Sequence, residues 1–115
     1  MGWHVVSING AAIRDWETFH DVFAAALGFP GFYGRNMDAW IDCLTYADHA
    51  DAGMVAEPVP AGTVLTIQID NVNEFAAECP DQYSALVECA AFVNWRRLER
   101  GDGPVLALSF HHHRA

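Results

Sequence analysis

The sequence predicts one α/β domain, in which a three-stranded, mainly parallel sheet carries its helices mostly on one face. Three short segments rich in β-branched residues alternate with longer segments whose apolar residues recur at helical spacing. Strands separated by helices need crossover connections, which make neighbouring strands parallel. The chain has 115 residues and is 52% hydrophobic, so it can bury one core but not two. Residues 1–115 are therefore expected to be a single domain, with the strand order left open.

The first strand and helix are marked by their end signals. A strand is predicted over residues 3–8, because Asn9 and Gly10 stop it. Asp15 is typical of a helix N-cap, and the sequence Gly28–Phe29–Pro30 is typical of a helix end. The apolar residues between these signals follow one helical face: Trp16, Phe19, Val22, Phe23, Ala26 and Leu27.

A second, short helix presents two aspartates. Asn36 is expected to cap it, and its buried stripe is predicted to be Met37, Trp40, Ile41 and Leu44. Asp38, Asp42 and Thr45 are predicted on the opposite, outward side. Asp38 lies in the first turn, where the helix dipole favours an anion, but like charges four residues apart destabilise a helix by about 0.2–0.5 kcal/mol. An aspartate pair that costs stability indicates a functional role.

The second half of the chain repeats the alternation of strand and helix. Residues 48–62 have no clear period and are predicted to be an exposed loop. Residues 63–69 alternate as a strand with one more apolar face, and Asp70 is expected to cap a short helix that runs to residue 75. A longer helix is predicted from Pro80 to residue 101, with the buried stripe Tyr83, Leu86, Val87, Ala90 and Val93. Gly103 and Pro104 then introduce a last strand over residues 105–110.

The charge of the chain argues against nucleic acid as a direct partner. Fifteen acidic residues face six basic ones, all arginine, which gives a formal charge of −9. A polyanion would be repelled, whereas a basic protein would be attracted. Net negative charge also keeps small proteins soluble, so it indicates a basic partner only together with the Asp38/Asp42 face. No membrane-length apolar run and no signal-peptide pattern is present, and we expect a cytoplasmic protein with no membrane partner.

Neither a metal nor a cofactor is expected. Cys43, Cys79 and Cys89 form an odd set without CxxC spacing, which argues against a disulfide framework or zinc and favours free thiols. Two clusters resemble metal ligands, but one lies in a polar loop and the other consists of adjacent strand-end residues that point to alternating faces. These clusters are Asp48, His49 and Asp51, and His111, His112 and His113.

An enzymatic role is the weakest of the functional alternatives. Asp38 and Asp42 are of the type used in general acid–base catalysis. However, they lie on a helix surface with no apolar pocket or histidine partner indicated by the sequence to tune them. The glycines at positions 28, 31 and 34 lie between helices and not after a strand, so the nucleotide-binding fingerprint is absent.

The turn and second helix resemble the barstar family, whose members inhibit secreted microbial ribonucleases of the barnase type. The resemblance is carried, without a gap, by Pro30, Phe32, Tyr33, Gly34, Asn36, Asp38, Ala39, Asp42, Cys43, Leu44 and Thr45. It implies a barstar-like fold and an intracellular inhibitor. The carboxylate of Asp42 would fill the phosphate site of the ribonuclease, with Asp38 beside it. Phe32, Gly34 and Asn36 would line the contact, and Thr45 and Val93 would lie nearer its rim.

The chain departs from this pattern at three positions. Arg35 stands where the resemblance implies an acidic residue, Ile41 replaces a tryptophan, and Arg96 aligns with a contact glutamate. A basic residue at position 96 would repel the cationic rim of a conventional ribonuclease. The expected partner is a basic extracellular-type ribonuclease or a related toxin. The alternative is a barstar-like interaction or immunity module whose partner is not a ribonuclease.

Overall fold

The three strands form one parallel sheet, as predicted. The computed structural model describes residues 4–112, so Trp3 of the predicted first strand and His113 lie outside the described residues. The strands are β1 (Val5–Asn9), β2 (Leu65–Asp70) and β3 (Leu106–Phe110), in the order β1-β2-β3. The helices are α1 (Trp16–Leu27), α2 (Met37–Thr45), α3 (Val72–Glu78) and α4 (Pro80–Glu99), with short 3-10 helices at Gly10–Ala12 and Ala50–Ala52.

One face of the sheet is covered by the helices. On the central strand Leu65, Ile67 and Ile69 are buried, whereas Thr66 and Gln68 on the other face are half-buried. The register places Ile8 and Phe110 on either side of Ile69, which continues the apolar face across the sheet. This asymmetry confirms the expectation that the helices pack mostly on one side. Among the described residues, no helix combines the length and apolarity that a membrane span needs.

The first helix is defined at both ends by its caps. Asp15 Oδ1 accepts a hydrogen bond from the Thr18 backbone N–H at 2.8 Å, and Thr18 Oγ1 accepts one from the Asp15 N–H at 3.1 Å. This reciprocal pair is a capping box. Gly28 follows the helix with φ +63°, and a side chain there would collide with Ala56. The predicted cap and the predicted stop are both confirmed.

Several predicted boundaries and burials are wrong. Asp70 is the last residue of β2 and not a helix cap, because the helical segment begins after Asn71, whose φ is +55°. In α4 the side chain of Val87 is 37% exposed, and the buried stripe instead contains Arg97. The segment 48–62 is not simply an exposed loop. Val55 and Val59 bury their side chains in the core, and the segment is held there by backbone hydrogen bonds from Ala56 N–H to the Leu27 carbonyl and from Val59 N–H to the Ala47 carbonyl.

Candidate functional site

The acidic helix α2 projects from the core with a fixed orientation. Trp40, Ile41 and Leu44 are buried, and Asp38 and Asp42 are exposed on the other side. Residues three and four apart share a helical face, so burial of the apolar set turns both carboxylates outward. The predicted arrangement of the stripe and of the two aspartates is confirmed.

The N-terminus of α2 is capped as predicted. Asn36 Oδ1 accepts a hydrogen bond from the Ala39 N–H at 2.8 Å, and the Asn36 side-chain amide donates to the Gly34 carbonyl at 3.3 Å. The cap satisfies a helix N–H that would otherwise lack an intrahelical partner. The polar atoms of Asn36 therefore position the helix, and its exposed surface remains beside the two aspartates.

The turn before α2 is tied to α1 by two side chains. The Tyr33 hydroxyl lies 2.6 Å from His20 Nδ1. Arg35, at φ +54°, donates from Nη2 to Asp21 Oδ1 at 2.8 Å and to the Glu17 carbonyl at 3.0 Å. Burial, followed by the positive charge of Arg35, lowers the pKa of His20, so the neutral imidazole is favoured. These contacts hold the turn in place.

The exposed part of this turn is apolar at its tip. The side chain of Phe32 is 74% exposed, and Gly34 is exposed beside it. A large aromatic side chain with most of its surface in water is the type of residue that anchors protein interfaces. The tethered turn thus presents an exposed aromatic group shortly before the start of α2.

Asp42 is joined to α4 by an ion pair. Arg96 Nη1 donates to Asp42 Oδ1 at 2.9 Å, with the two side chains 35% and 54% exposed. Asp38 forms no ion pair or side-chain hydrogen bond with any other residue in the range 4–112. The two aspartates therefore differ, because Asp38 meets solvent whereas Asp42 shares its charge with Arg96.

The C-terminal end of α2 is fixed by a buried arginine. Arg97 Nη1 and Nη2 donate to the two carboxylate oxygens of Asp48, each at 2.9 Å. Arg97 Nη1 also donates to the Thr45 carbonyl at 2.9 Å, and Nε donates to the Gly103 carbonyl at 2.7 Å. One guanidinium thus joins the ends of α2 and α4 to the segment that enters β3. Both ends of the acidic helix are anchored.

The structure buries two of the seven predicted contact residues: Thr45, which was wrongly predicted on the outward side of α2, and Val93, which lies in the predicted buried stripe of α4. Thr45 is fully buried, and its hydroxyl donates to the Ile41 carbonyl at 2.6 Å. Val93 is also fully buried, on the inner face of α4. Thr45 lies three residues after Asp42, and its carbonyl accepts a hydrogen bond from Arg97 of α4, the helix that packs on α2. Neither side chain is accessible to a partner in this structure. Whether a partner contacts any of the seven remains a prediction, and the exposed residues among them are Phe32, Gly34, Asn36, Asp38 and Asp42.

The candidate metal ligands have other roles or are dispersed. Asp48 is paired with Arg97, and His49 Nε2 lies 3.4 Å from the Oδ1 atom of Asp48. The Ser109 hydroxyl lies 3.0 Å from His111 Nε2. Within residues 4–112 no three histidine, cysteine or carboxylate side chains come together as a metal site would require.

The three cysteines are free in this structure. Cys43 and Cys79 are buried, and Cys89 is half-buried. Burial, followed by the negative charge of Asp42, raises the pKa of Cys43 to about 11. A thiol of this kind is a small core residue and a poor nucleophile.

Sequence reasoning missed the pairs that organise the site. Arg97 follows Val93 by four residues and Ala90 by seven, so an arginine falls in the predicted buried stripe. A charge in such a stripe indicates a buried ion pair, because an unpaired buried cation is very costly. Asp48 as its partner, and Asp42 as the partner of Arg96, have no comparable signal in the sequence.

The chain matches a known protein family over most of its length. A family model described as Barstar (barnase inhibitor) matches residues 3–108. The chain is also 45% identical over 40 residues to the Bacillus subtilis (strain 168) protein named "Putative ribonuclease inhibitor YrdF". That match covers 35% of this chain and 44% of the length of the relative.

Proposed function

The chain belongs to the barstar family, and we propose that it is a stoichiometric protein inhibitor of a barnase-type ribonuclease. In this proposal it has no catalytic activity of its own. The α2 face with its two aspartates, together with the turn that carries Phe32, covers the active site of the enzyme. Asp42 takes the position of a substrate phosphate, and Asp38 lies beside it.

The observation that carries the proposal is a pair of exposed carboxylates on a helix fixed at both ends. Asn36 caps the start of α2, and Arg97 binds the Thr45 carbonyl at its end. Trp40 and Leu44 anchor the middle of the helix in the core with no exposed surface. Because the helix is already ordered, little conformational entropy is lost when its carboxylates enter a partner.

A carboxylate on such a helix is a suitable mimic of a phosphate. Arginine side chains that bind phosphate also bind carboxylate through paired, charge-assisted hydrogen bonds. Asp38 and Asp42 follow each other by one helical turn, so together they offer two anionic groups to a pocket shaped for a polyanion. Occupation of that pocket excludes the RNA substrate.

The surroundings of the carboxylates resemble an interface more than a catalytic site. Phe32 is exposed near one end of α2, and on α4 the exposed rings of Phe92 and Trp95 lie 5.6 Å apart. Phe92 precedes Arg96 by one turn and therefore shares its side of the helix. Acidic groups flanked by exposed aromatic residues suit recognition of a basic protein surface.

The charge of the chain supports the same class of partner. A formal charge of −9 attracts a basic enzyme over a long range and speeds their encounter. The free cysteines are compatible with a reducing compartment. We therefore propose an inhibitor that acts in the cytoplasm against a basic ribonuclease of the extracellular type, or against a toxin with a related nuclease.

A second candidate function keeps the fold and changes the partner. Arg96 neutralises part of the charge of Asp42, and Arg35 introduces another cation near the same helix. Both features weaken the match to a uniformly basic enzyme. They favour, as the alternative, an immunity or interaction module directed at a protein that is not a ribonuclease.

Titration of ribonuclease activity tests the proposal. The purified chain is added in increasing amounts to a panel of basic microbial ribonucleases that includes barnase, and RNA hydrolysis is followed. We expect at least one enzyme to lose activity linearly with added chain and to reach zero at equimolar amounts. Lack of inhibition across the panel at micromolar concentration, together with capture of a protein without nuclease activity, would support the alternative.

A control assay addresses the absence of catalysis. The chain alone is incubated with RNA and with model phosphate esters, with and without divalent metal. We expect no turnover above the buffer. Turnover that is lost on substitution of Asp38 or Asp42 would contradict the proposal and indicate an enzyme.

A further inference from the structure

Arg96 is placed to influence every complex that uses Asp42. Its guanidinium lies 2.9 Å from the carboxylate, and it comes from α4, the helix that packs beside α2. Within residues 4–112 this is the single ion pair or side-chain hydrogen bond that either residue forms with another described residue. A cation and an anion are therefore presented side by side on one surface.

The pair is accessible and easily exchanged. Both side chains keep about a third or more of their surface in water, at 35% for Arg96 and 54% for Asp42. Ion pairs at this exposure contribute little to stability, because water screens the attraction and the long arginine side chain must be ordered. Asp42 can therefore leave Arg96 for a better cationic site on a partner.

Once Asp42 binds a cationic site on a partner, the position of Arg96 becomes unfavourable. The side chain remains beside Asp42 and is brought into the interface or to its rim. If the partner is cationic at this position, like charges face each other where water is reduced, which is unfavourable. If Arg96 instead stays on Asp42, the carboxylate is partly neutralised and binds the arginines of the partner less well.

A partner with an acidic residue opposite Arg96 removes both problems. Asp42 would enter the basic pocket of the partner, and Arg96 would pair with the partner carboxylate. Two ion pairs across the interface would replace one weak pair within the free chain. Mixed charge at neighbouring positions also selects against partners that carry only basic residues there.

We propose that Arg96 is a specificity-determining residue, and that the partner is a ribonuclease whose basic substrate pocket is bordered by an acidic residue that binds Arg96. This inference rests on the proposed function and deepens it. In this proposal the Asp42–Arg96 pair determines which of several ribonucleases with similar active sites the chain binds.

The first part of the test reverses the charge of single arginines in this chain. Binding to barnase, a conventional basic ribonuclease, is measured for the wild type, Arg96→Glu, Arg96→Gln and Arg14→Glu. Arg14 is an exposed arginine before α1, and its reversal changes the net charge by the same amount as Arg96→Glu. Arg96→Gln removes the cation without placing a second carboxylate against Asp42, and melting temperatures check that each variant folds.

We expect Arg96→Glu to bind barnase roughly tenfold or more tightly than the wild type, which is the scale of one close charge pair. Arg96→Gln should be intermediate, and Arg14→Glu should change the affinity much less. Equal effects of Arg96→Glu and Arg14→Glu would mean that only net charge matters and would overturn the proposal.

Charge reversal of the enzyme is the second part. Each surface lysine and arginine of barnase is replaced in turn by glutamate, and every variant is measured against wild-type chain and Arg96→Glu. We expect at least one substitution to tighten binding of the wild type and to weaken binding of Arg96→Glu. Absence of any such reversal would overturn the inference.

The two proposals fail in different ways. If the wild type inhibits a ribonuclease at equimolar amounts but Arg96 variants bind like the wild type, the inhibitor function stands and the role of Arg96 is wrong. If neither the wild type nor Arg96→Glu binds any barnase variant, the role of Arg96 is also wrong, and the panel titration decides the function.

Discussion

The guanidinium of Arg97 and the carboxylate of Asp48 form a two-point ion pair between the end of α4 and the segment after α2. Both contacts measure 2.9 Å, and each side chain is 4% exposed. Burial alone raises the pKa of Asp48, but the hydrogen bonds and charge of Arg97 outweigh it, so the pKa lies below its usual value. The same guanidinium donates to the Thr45 carbonyl, so this pair links a segment predicted as loop to the end of α2.

Replacement of Asp48 should destabilise the fold. Asp48→Ala leaves the buried guanidinium of Arg97 without its anion, and loss of one partner of a buried pair costs about 3–5 kcal/mol. The free energy of unfolding is measured by urea denaturation. Asp51→Ala, which removes the same charge from an exposed position three residues later, is the matched control. Equal stability of the two variants would contradict a structural role for the Asp48–Arg97 pair.

Stability should fall in acid through the same pair. A carboxyl group with a lowered pKa in the folded state stabilises the fold above its unfolded pKa, about 4, and this contribution is lost as pH falls through the folded pKa. His20 acts in the same direction. Its lowered pKa means that the unfolded chain binds the proton first as pH falls below about 6.5.

Unfolding free energies across this pH range would measure the effect. In Asp48→Asn we expect a weaker dependence below about pH 4, where the carboxyl of Asp48 titrates in the unfolded chain. If the unfolding free energies of Asp48→Asn and of the wild type depend on pH in the same way, the carboxyl of Asp48 does not control stability in acid.

Substitution of Asp42 should affect binding much more than folding. Asp42→Ala should weaken inhibition of a ribonuclease that the wild type inhibits by more than about 2 kcal/mol, the range of interface hot spots. Truncation of single acidic residues at interfaces of the barnase–barstar kind reaches this range of binding free energy. Asp38→Ala should have the second largest effect, because in the proposed complex its carboxylate would lie beside the pocket.

The melting temperature of Asp42→Ala should stay nearly unchanged. Loss of the exposed pair with Arg96 costs at most about 1 kcal/mol, and the higher helix propensity of alanine offsets part of it. Asp51→Ala is again the control and should inhibit like wild type. Equal potency of Asp42→Ala and wild type would remove the phosphate-mimic mechanism.

Association with a basic ribonuclease should slow as salt is added. The charge of −9 acts on encounter over distances of about 10 Å or less at moderate ionic strength, whereas contacts within the complex are less screened. Stopped-flow measurements should show a steep fall of the association rate and a smaller change of the dissociation rate. An association rate independent of salt would argue against electrostatic steering.

The thiols should react slowly in the folded chain. Cys43 is buried and has a pKa of about 11, and burial also raises the pKa of Cys79 and Cys89. Labelling at neutral pH should modify Cys89 first, because it is the half-buried thiol. A fast-reacting Cys43 would contradict its place in the core.

We also expect that adding a reducing agent and a metal chelator leaves the melting temperature of the chain unchanged.

Local patterns in the sequence determined the elements and the direction of the acidic face. Asp15 and Asn36 are short polar side chains next to the N–H groups that they cap, and this chemistry operates within three residues. The stripe formed by Trp40, Ile41 and Leu44 likewise follows from helical spacing alone. Once that stripe is buried, Asp38 and Asp42 must point outward.

The tertiary structure decided what each charged side chain meets. Asp42 and Arg96 are 54 residues apart, and Asp48 and Arg97 are 49 apart, so no local spacing relates them. Thr45 is fully buried and its carbonyl accepts from Arg97 of α4, whereas Asp42 stays half exposed and pairs with Arg96 of the same helix. Helical periodicity cannot reveal either contact. Pairing depends on distance in space, and that distance exists only after the helices pack against the sheet and each other.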